Sequence, residues 1–189
     1  MLTLAKMGVM NIEVFDEDGV SEHNLPNQFY RNDDIGQFKV QALMDLVNEF
    51  TPILINLGDY TTMYSKQKLQ PIVIVGTDSM SSRRLVWEQF LKQKQAKQYI
   101  EARMGAEVGQ VYTIQTKSKA NIKFYEEQLY SDDEVKPLPC TAKSIIYNVL
   151  MISSLICRAV KAVIHEEKFP RELTMNMHRI DALSFMVRK

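Results

Sequence analysis

Two aspartates follow predicted strands closely, at positions where an acidic side chain can do chemistry. Asp16 comes directly after the strand Asn11 to Phe15 (NIEVF), and Asp78 lies shortly beyond the strand Pro71 to Val75 (PIVIV). In open α/β sheets, ligands bind outside the carboxyl ends of the strands. An acid at such a position often bonds a ribose hydroxyl, which makes Asp16 a candidate nucleotide-binding residue. Taken alone, Asp16 is more typical of a turn or helix-capping acid.

Further polar residues follow Asp16 along the chain. Each of them also has an ordinary structural interpretation that involves no functional site. Lys39 at the start of a helix is, by itself, typical of a solvated surface lysine. Asn24 is typical of a helix cap or a turn, and Arg83 with Arg84 is typical of an exposed helix face. Because these residues occur together, a common functional site is favoured over separate capping, turn and surface roles.

The segment DEDGVSEHNLPNQFYRNDDIGQFK resembles the ThiF/MoeB-type adenylyltransferases, a family that includes the ubiquitin-activating enzymes. The family pattern is D-x-D-x-V, then N-L-x-R-Q, then D-x-G-x-x-K, and the order and spacing agree over about two dozen residues. A second segment, PIVIVGTDSMSSRR, matches an apolar strand followed by D-N-x-x-x-R and supplies Asp78 and Arg83. In PCTAKSIIY, Cys140 takes the place of a family cysteine that opens a helix. The resemblance covers most of the chain and is weakest in the final twenty residues.

The resemblance implies ATP-dependent adenylation of the C-terminal carboxylate of a ubiquitin-like or sulfur-carrier protein. Adenylation joins a carboxylate to the α-phosphate of ATP and expels pyrophosphate, so the site must neutralise negative charge as well as position it. By resemblance, Asp16 holds the ribose, Asn24 and Lys39 contact the phosphates, and Gln28 orients the phosphate-side loop. The implied nucleotide-binding set is Asp16, Asp18, Asn24, Gln28 and Lys39.

Three more residues receive roles by resemblance. Asp78 would hold Mg²⁺, the usual partner of a polyphosphate. Arg83 would support Asp78 or the incoming C-terminus of the substrate, and Cys140 would form a thioester or acyl disulfide with the activated carrier. A thiol near a helix N-terminus has a lowered pKa, which suits that role. Burial is the competing interpretation of Cys140, since free cysteine is among the most buried residue types, and we expect Cys157 to be a core residue.

The sequence departs from the family pattern at three places. Asn27 stands where the family has an arginine in N-L-x-R-Q, with Arg31 as a candidate substitute, and Ser79 stands where the family has an asparagine. The G-x-G-x-x-G loop and the strand before it are not found, and residues 1–8 are predicted to be the end of the helix that normally follows that loop. We therefore expect a fragment, a late start codon or one half of a complementing pair, because a missing central strand leaves its two neighbours unpaired.

Two other functions remain open at this point. A non-catalytic partner subunit of such an enzyme would explain Asn27, Ser79 and the missing loop. A nicotinamide-dependent oxidoreductase would use Asp16 for the NAD ribose, although it does not explain Asn24 and Lys39, and no hydride-transfer acid or base stands out.

The alternation of strands and helices predicts an α/β fold, with a Rossmann-like, mainly parallel sheet and helices on both faces. We expect residues 1–189 to form a single ThiF-type domain, with residues 1–100 as its nucleotide-binding half and residues 101–189 as its carrier-protein side. Beyond the two strands already named, the predicted strands are Ile53 to Leu57, Tyr99 to Ala102, Gln110 to Gln115 and Leu183 to Val187. The predicted helices are Ile35 to Phe50, Ser81 to Lys97 and Thr141 to His165, with a charged connection from Asn121 to Pro139.

Composition excludes several classes of protein. Lys plus Arg and Asp plus Glu number 23 each, so no charge excess points to nucleic acid. With two cysteines, we expect neither a structural zinc nor a disulfide framework, and a reducing cytoplasm fits. The longest apolar stretch, Ile145 to Ile164, carries too many polar residues for a typical membrane span and is predicted to be a buried helix. The expected partners are the carrier protein and either a second copy or a complementing subunit.

Overall fold

A computed structural model describes residues 1–51, 56–62, 64–105, 107–131, 146–177 and 186–188. These residues form two compact units, Met1–Ser65 and Lys66–Lys189, which are taken here one at a time. The division of the chain into functional halves near residue 100 stays a prediction.

The first unit begins with a short helix that ends at a glycine, as predicted. Helix α1 spans Leu2–Lys6, and Gly8 has a φ of +89°. Gly8 N–H donates to Ala5 O at 2.9 Å and Val9 N–H donates to Leu4 O at 3.1 Å. This pair of bonds is the Schellman motif, which requires a residue with positive φ just past the helix and so favours glycine there.

A parallel pair of strands follows in the first unit. Strand β1 spans Asn11–Phe15, as predicted, and pairs with β2, Asn56–Tyr60. The rings of Phe15 and Tyr60, which are partners in the register, stack with their centroids 4.4 Å apart. Of the second predicted strand, residues 53–55 lie outside the described residues, whereas Asn56 and Leu57 are in β2.

Helix α2, Lys39–Phe50, begins four residues later than the apolar spacing predicts. Gly36 has a φ of +89°, and Gly19 forms an antiparallel bridge with Phe38. Val20 N–H donates to Gln37 O at 2.8 Å, which holds the chain extended up to the helix start. Long-range pairing thus outweighs the local helical pattern between Ile35 and Phe38. Once formed, α2 buries an apolar face that includes Val40 and Val47.

In the residues that the structure describes, the second unit is a five-stranded sheet with three helices. Its sheet order is β3-β4-β5-β6-β7; β3 and β4 are parallel, and the other three pairs are antiparallel. The elements are β3 Ile72–Val75, α3 Met80–Lys92, β4 Gln98–Gly105, β5 Val108–Gln115, α4 Lys119–Glu126, α5 Ile146–Ile164, β6 Glu172–Asn176 and β7 Met186–Arg188. The α/β class is confirmed, and the described strands are mixed in direction, with parallel pairing in β1–β2 and β3–β4.

Three features of the second unit differ from the sequence prediction for identifiable reasons. Helix α3 ends at Lys92 because the Gln93 side chain accepts a bond from Leu69 N–H at 2.8 Å and donates to Gln67 O at 3.0 Å. Helix α4 lies in the predicted connection, where Ser118 caps it by accepting from Asn121 N–H at 3.2 Å.

The third difference is β6, which the sequence analysis missed. Its sequence, ELTMN, alternates polar and apolar residues, but it is only five residues long, and the strand depends on pairing with β5. At the chain end, β7 overlaps the predicted final strand, whose residues 183–185 lie outside the described residues, as do residues 132–145 before α5.

The core of the second unit is an aromatic cluster. Trp87 lies 4.4 Å from Tyr125 and 5.0 Å from Tyr99 between ring centroids, and Phe90 lies 5.2 Å from Tyr99. All four side chains are buried. The cluster joins α3, β4 and α4 and gives the polar residues nearby a rigid support.

Helix α5 packs one face against β4 and β5. That face buries Ile152, Cys157 and Val160, so the predicted core position of Cys157 is confirmed. In the described part of the chain, α5 is long and apolar enough to cross a membrane, and a third of its apolar window is buried. The core helix of a globular protein meets the same criterion of length and composition.

We expect Gly109→Ala to destabilise the protein by about 1–3 kcal/mol. The sequence pattern places Gly109 in a turn, but it lies in β5, directly under α5. A Cβ there would meet Ile152 Cδ1 at 2.6 Å and Met151 Cε at 2.9 Å. Gly76→Ala, whose Cβ would meet nothing within 4 Å, is the matched control in urea unfolding. Equal stability of the two variants would contradict the close approach of α5.

Candidate functional site

Asp16 lies at the carboxyl end of β1 and is held there by the main chain. Its N–H donates to Tyr60 O at 3.2 Å, and its Oδ1 accepts from Asp18 N–H at 2.9 Å. One carboxylate oxygen therefore stabilises a turn, which agrees with the structural interpretation of Asp16 as a turn residue. The other oxygen accepts no hydrogen bond from the residues that the structure describes. It is the part of Asp16 that can meet a hydroxyl group.

Lys39 is the first residue of α2 and forms an ion pair with Asp18. Its Nζ lies 2.6 Å from Asp18 Oδ2, and its N–H donates to Asp18 O at 2.9 Å. The Lys39 side chain is 15% exposed and that of Asp18 is 64% exposed. Lys39 is thus not a solvated surface lysine, which was the structural alternative to a functional role. The fold places one ammonium group next to the turn that follows β1.

Tyr30 is a fourth member of this cluster, after Asp16, Asp18 and Lys39, and sequence analysis missed it. Its hydroxyl donates to Lys39 O at 3.3 Å. Burial, and then the neighbouring carboxylates of Asp16 and Asp34, raise the pKa of Tyr30. The phenol therefore stays protonated and can donate a hydrogen bond throughout the physiological range. No motif marks Tyr30, because an aromatic residue in a polar loop has many possible roles.

Asn24 is buried, and its side chain is partly committed to the loop. Its Oδ1 accepts from Ser21 N–H at 2.9 Å and from Ser21 Oγ at 3.0 Å. The capping interpretation of Asn24 thus describes its carbonyl oxygen, which leaves the amide NH₂ as the group to meet an anion. Gln28 is half-buried, and its N–H donates to Asn24 O at 2.8 Å. Within the described ranges, the Gln28 side chain makes no hydrogen bond.

In the second unit, Asp78 is exposed in the loop between β3 and α3. The next residue, Ser79, caps α3 by accepting from Ser82 N–H at 3.2 Å. Beside them, Thr77 Oγ1 is buried and has no hydrogen-bond partner among the described residues. Oxygen donors at a strand end suit a hard cation such as Mg²⁺, which takes one or two protein carboxylates and completes its shell with phosphate and water.

Arg83 is buried and does not present its guanidinium to solvent. Its Nε lies 3.0 Å from Glu101 Oε1, and its Nη1 donates to Asp78 O at 3.4 Å. The predicted neighbourhood of Arg83 and Asp78 is therefore present, through the main chain of Asp78. Glu101 was not predicted from the sequence. A charged residue in the otherwise apolar start of β4, between Ile100 and Ala102, was the signal that could have revealed it.

The remaining predicted residues contribute less to these clusters. Arg31, the candidate substitute for the family arginine, pairs with Glu49, and both side chains are about half exposed. Asn27 donates from Nδ2 to His23 O at 3.4 Å. Cys140 lies outside the described residues, so its role stays a prediction. The structure thus groups Asp16, Asp18 and Lys39 in the first unit and Asp78 with Arg83 in the second.

Comparison with known protein families shows the class to which the chain belongs. Residues 1–189 match the ThiF family, so the protein is a member of that family. Comparison with curated protein sequences gives no match. The match extends over the whole chain, which shows the family membership.

Solved structures with low sequence identity share the fold. MccB of E. coli with ATP superposes with a TM-score of 0.76 at 14% identity, over 100% of this chain and 58% of that one. A complex of MccB with AMPCPP and MccA gives 0.75 at 15% identity, over 100% and 58%. Selenomethionine PaaA gives 0.70 at 15% identity, over 99% and 66%. The chain thus spans about three fifths of the length of these structures, and at this identity the likeness shows a Rossmann-like fold.

We expect Asn24→Ala to lower the free energy of unfolding by about 1–2 kcal/mol, because two donors of Ser21 lose their acceptor. Ser21→Ala is the matched control, since it removes the hydroxyl bonds to Asn24 Oδ1 and His23 Nδ1 and keeps the main-chain bond to Asn24 Oδ1. Urea unfolding measures both, and Ser21→Ala should cost less. An Asn24→Ala variant as stable as the parent would contradict the structural part of its role.

Proposed function

We propose that the protein is an ATP-dependent adenylyltransferase that activates the C-terminal carboxylate of a protein or peptide. The observation that carries the proposal is the cluster of Asp16, Asp18 and Lys39 at the end of β1. It joins the two ends of the segment whose spacing matches the family pattern. A carboxylate and a partly buried ammonium at a strand end are the groups that a ribose and an anionic phosphate chain require.

Each residue of the first unit then has a defined task toward ATP. The free oxygen of Asp16 accepts from a ribose hydroxyl, and Lys39 Nζ contacts a phosphate. The amide NH₂ of Asn24 donates to a phosphate oxygen, while its carbonyl oxygen stays with Ser21. Gln28, whose side chain is free of hydrogen bonds in the described ranges, orients the phosphate-side loop. Fixed donors of this kind stabilise the charge that develops as pyrophosphate leaves.

Asp78 is the proposed Mg²⁺ ligand, and Arg83 supports it. The metal, when bound, neutralises phosphate charge. Asp78 is exposed and extends from the loop after β3, and Arg83 donates to its main-chain oxygen. Arg83 is paired with Glu101 and buried, so it serves the loop rather than the C-terminus of the substrate.

The proposed substrate is a ubiquitin-like or sulfur-carrier protein or a shorter peptide. MccB, whose fold the chain shares, was solved with MccA together with AMPCPP. This supports a peptide or protein substrate that binds next to the nucleotide. Cys140 is a candidate to attack the acyl adenylate through its thiolate, which would form a thioester and release AMP. A reducing cytoplasm is the proposed location, since such a thiol must stay free to react.

We expect Lys39→Ala to weaken ATP binding about 10- to 100-fold, the cost of losing a charge-assisted hydrogen bond. Lys6→Ala is the matched control, because Lys6 lies in the same unit and donates to Phe50 O instead. Isothermal titration with Mg-ATP measures binding. Pyrophosphate exchange with a ubiquitin-like protein as the probe measures the reaction. Equal ATP affinity of both variants would show that Lys39 does not contact ATP.

A second candidate, a non-catalytic partner subunit, is favoured by the local roles of two substituted residues. Asn27, in place of the family arginine, bonds to His23 O, and Ser79, in place of the family asparagine, caps α3. Both side chains thus have local roles in the chain. If the second candidate is right, the isolated chain binds no ATP and co-purifies with a full-length ThiF-family protein. ATP binding by the isolated chain would exclude it.

A further inference from the structure

Glu101 is a fully buried carboxylate in the middle of the sheet of the second unit. It lies in β4 with Val75 of β3 as its register partner on one side and Tyr112 of β5 on the other. Its residue exposure is 0%. Burying a carboxylate costs several kcal/mol unless charged and hydrogen-bonding partners surround it. The position of Glu101 therefore requires a dedicated set of partners.

Two arginines and a tyrosine supply those partners. Arg83 and Arg103 both approach Oε1 with their Nε atoms, and Tyr125 donates its hydroxyl to Oε2. The two guanidinium groups are almost as buried as the carboxylate, with side-chain exposures of 9% and 11%. Because removing one member leaves buried charge unpaired, the geometry of the group is tightly determined.

Each arginine also reaches one main-chain oxygen, and the two targets differ. Arg83 Nη1 donates to Asp78 O at 3.4 Å, whereas Arg103 Nη1 donates to Gln128 O at 2.9 Å. The same carboxylate thus anchors one arm to the loop after β3 and one arm to the end of α4. The two arginines form a pair for comparison, since they share the anchor and the degree of burial, and Arg103 in addition lies over the rings of Tyr112 and Tyr130.

We infer that Glu101 is a positioning residue, which acts through Arg83 to fix the loop that carries Asp78. Val75, the register partner of Glu101, is the last residue of β3, so the anchor lies level with the start of this loop. Held at Asp78 O, the loop presents the exposed carboxylate of Asp78 in one place. The inference deepens the proposed function and depends on it for the use made of Asp78.

The test compares Arg83→Met with Arg103→Met. Hydrogen–deuterium exchange of the full chain without ligand should show amides of residues 76–82 exchanging about 10-fold faster or more in Arg83→Met and unchanged in Arg103→Met. Arg103→Met should instead loosen the amides around Gln128. If either variant fails to fold, the Arg83→Lys and Arg103→Lys pair carries the same comparison. Equal exchange of residues 76–82 in the two variants would overturn the inference.

A second measurement follows the metal. The Mg²⁺ concentration for half-maximal pyrophosphate exchange should rise about 10-fold or more in Arg83→Met, as for other residues that orient a ligand, while the rate at saturating Mg²⁺ changes less. Arg103→Met should keep the parental Mg²⁺ dependence, and a rise as large as that of Arg83→Met would overturn the inference. Absence of pyrophosphate exchange in the parent would refute the proposed function, while the amide hydrogen exchange still decides whether Arg83, the arginine paired with Glu101, fixes the loop that carries Asp78.

Discussion

The constraint with the widest consequences in this protein is that a charge removed from water must be paired. Glu101 meets it with Arg83, Arg103 and Tyr125, and this shared carboxylate joins β4 to α3 and α4. Replacing the group by apolar residues is often neutral or stabilising in other proteins, whereas removing one partner is costly. A buried ionic group is therefore weak evidence for stability and better evidence for a fixed geometry. Here that geometry reaches the main chain of Asp78.

The elements that could be predicted from sequence are those whose ends are set by local residues. Strands β1 and β3 are short apolar segments bounded by polar or turn-forming residues, and both were placed within one residue of their observed ends. The boundaries that were wrong depend on long-range bonds. The start of α2 is set by pairing between Val20 and Gln37, and the end of α3 by the bonds of Gln93. Local periodicity contains no information about such partners.

The candidate site divides in a similar way. Spacing and the family resemblance predicted Asp16, Lys39 and Asp78 as site residues, because the type of these residues is what the chemistry demands. They did not identify Tyr30 or Glu101, because their contribution comes from their neighbours: Tyr30 bonds to Lys39 O, and Glu101 holds Arg83. They also could not show that Asn24 divides its side chain between Ser21 and a free amide. Residues that support others are defined by three-dimensional contacts, and a single sequence does not record those.

The ion pair of Lys39 and Asp18 bears on whether the first unit is ready to bind an anion. Lys39 is mostly buried along its stem, while Asp18 is 64% exposed, so the pair lies at the solvent boundary. An ion pair of that kind contributes about 1 kcal/mol or less, since water competes for the exposed carboxylate. A phosphate chain with several negative charges can therefore take the ammonium from Asp18 at little cost. Asp18 holds Lys39 in place, so under the proposed function this ion pair keeps the ammonium where a phosphate can meet it rather than blocking it.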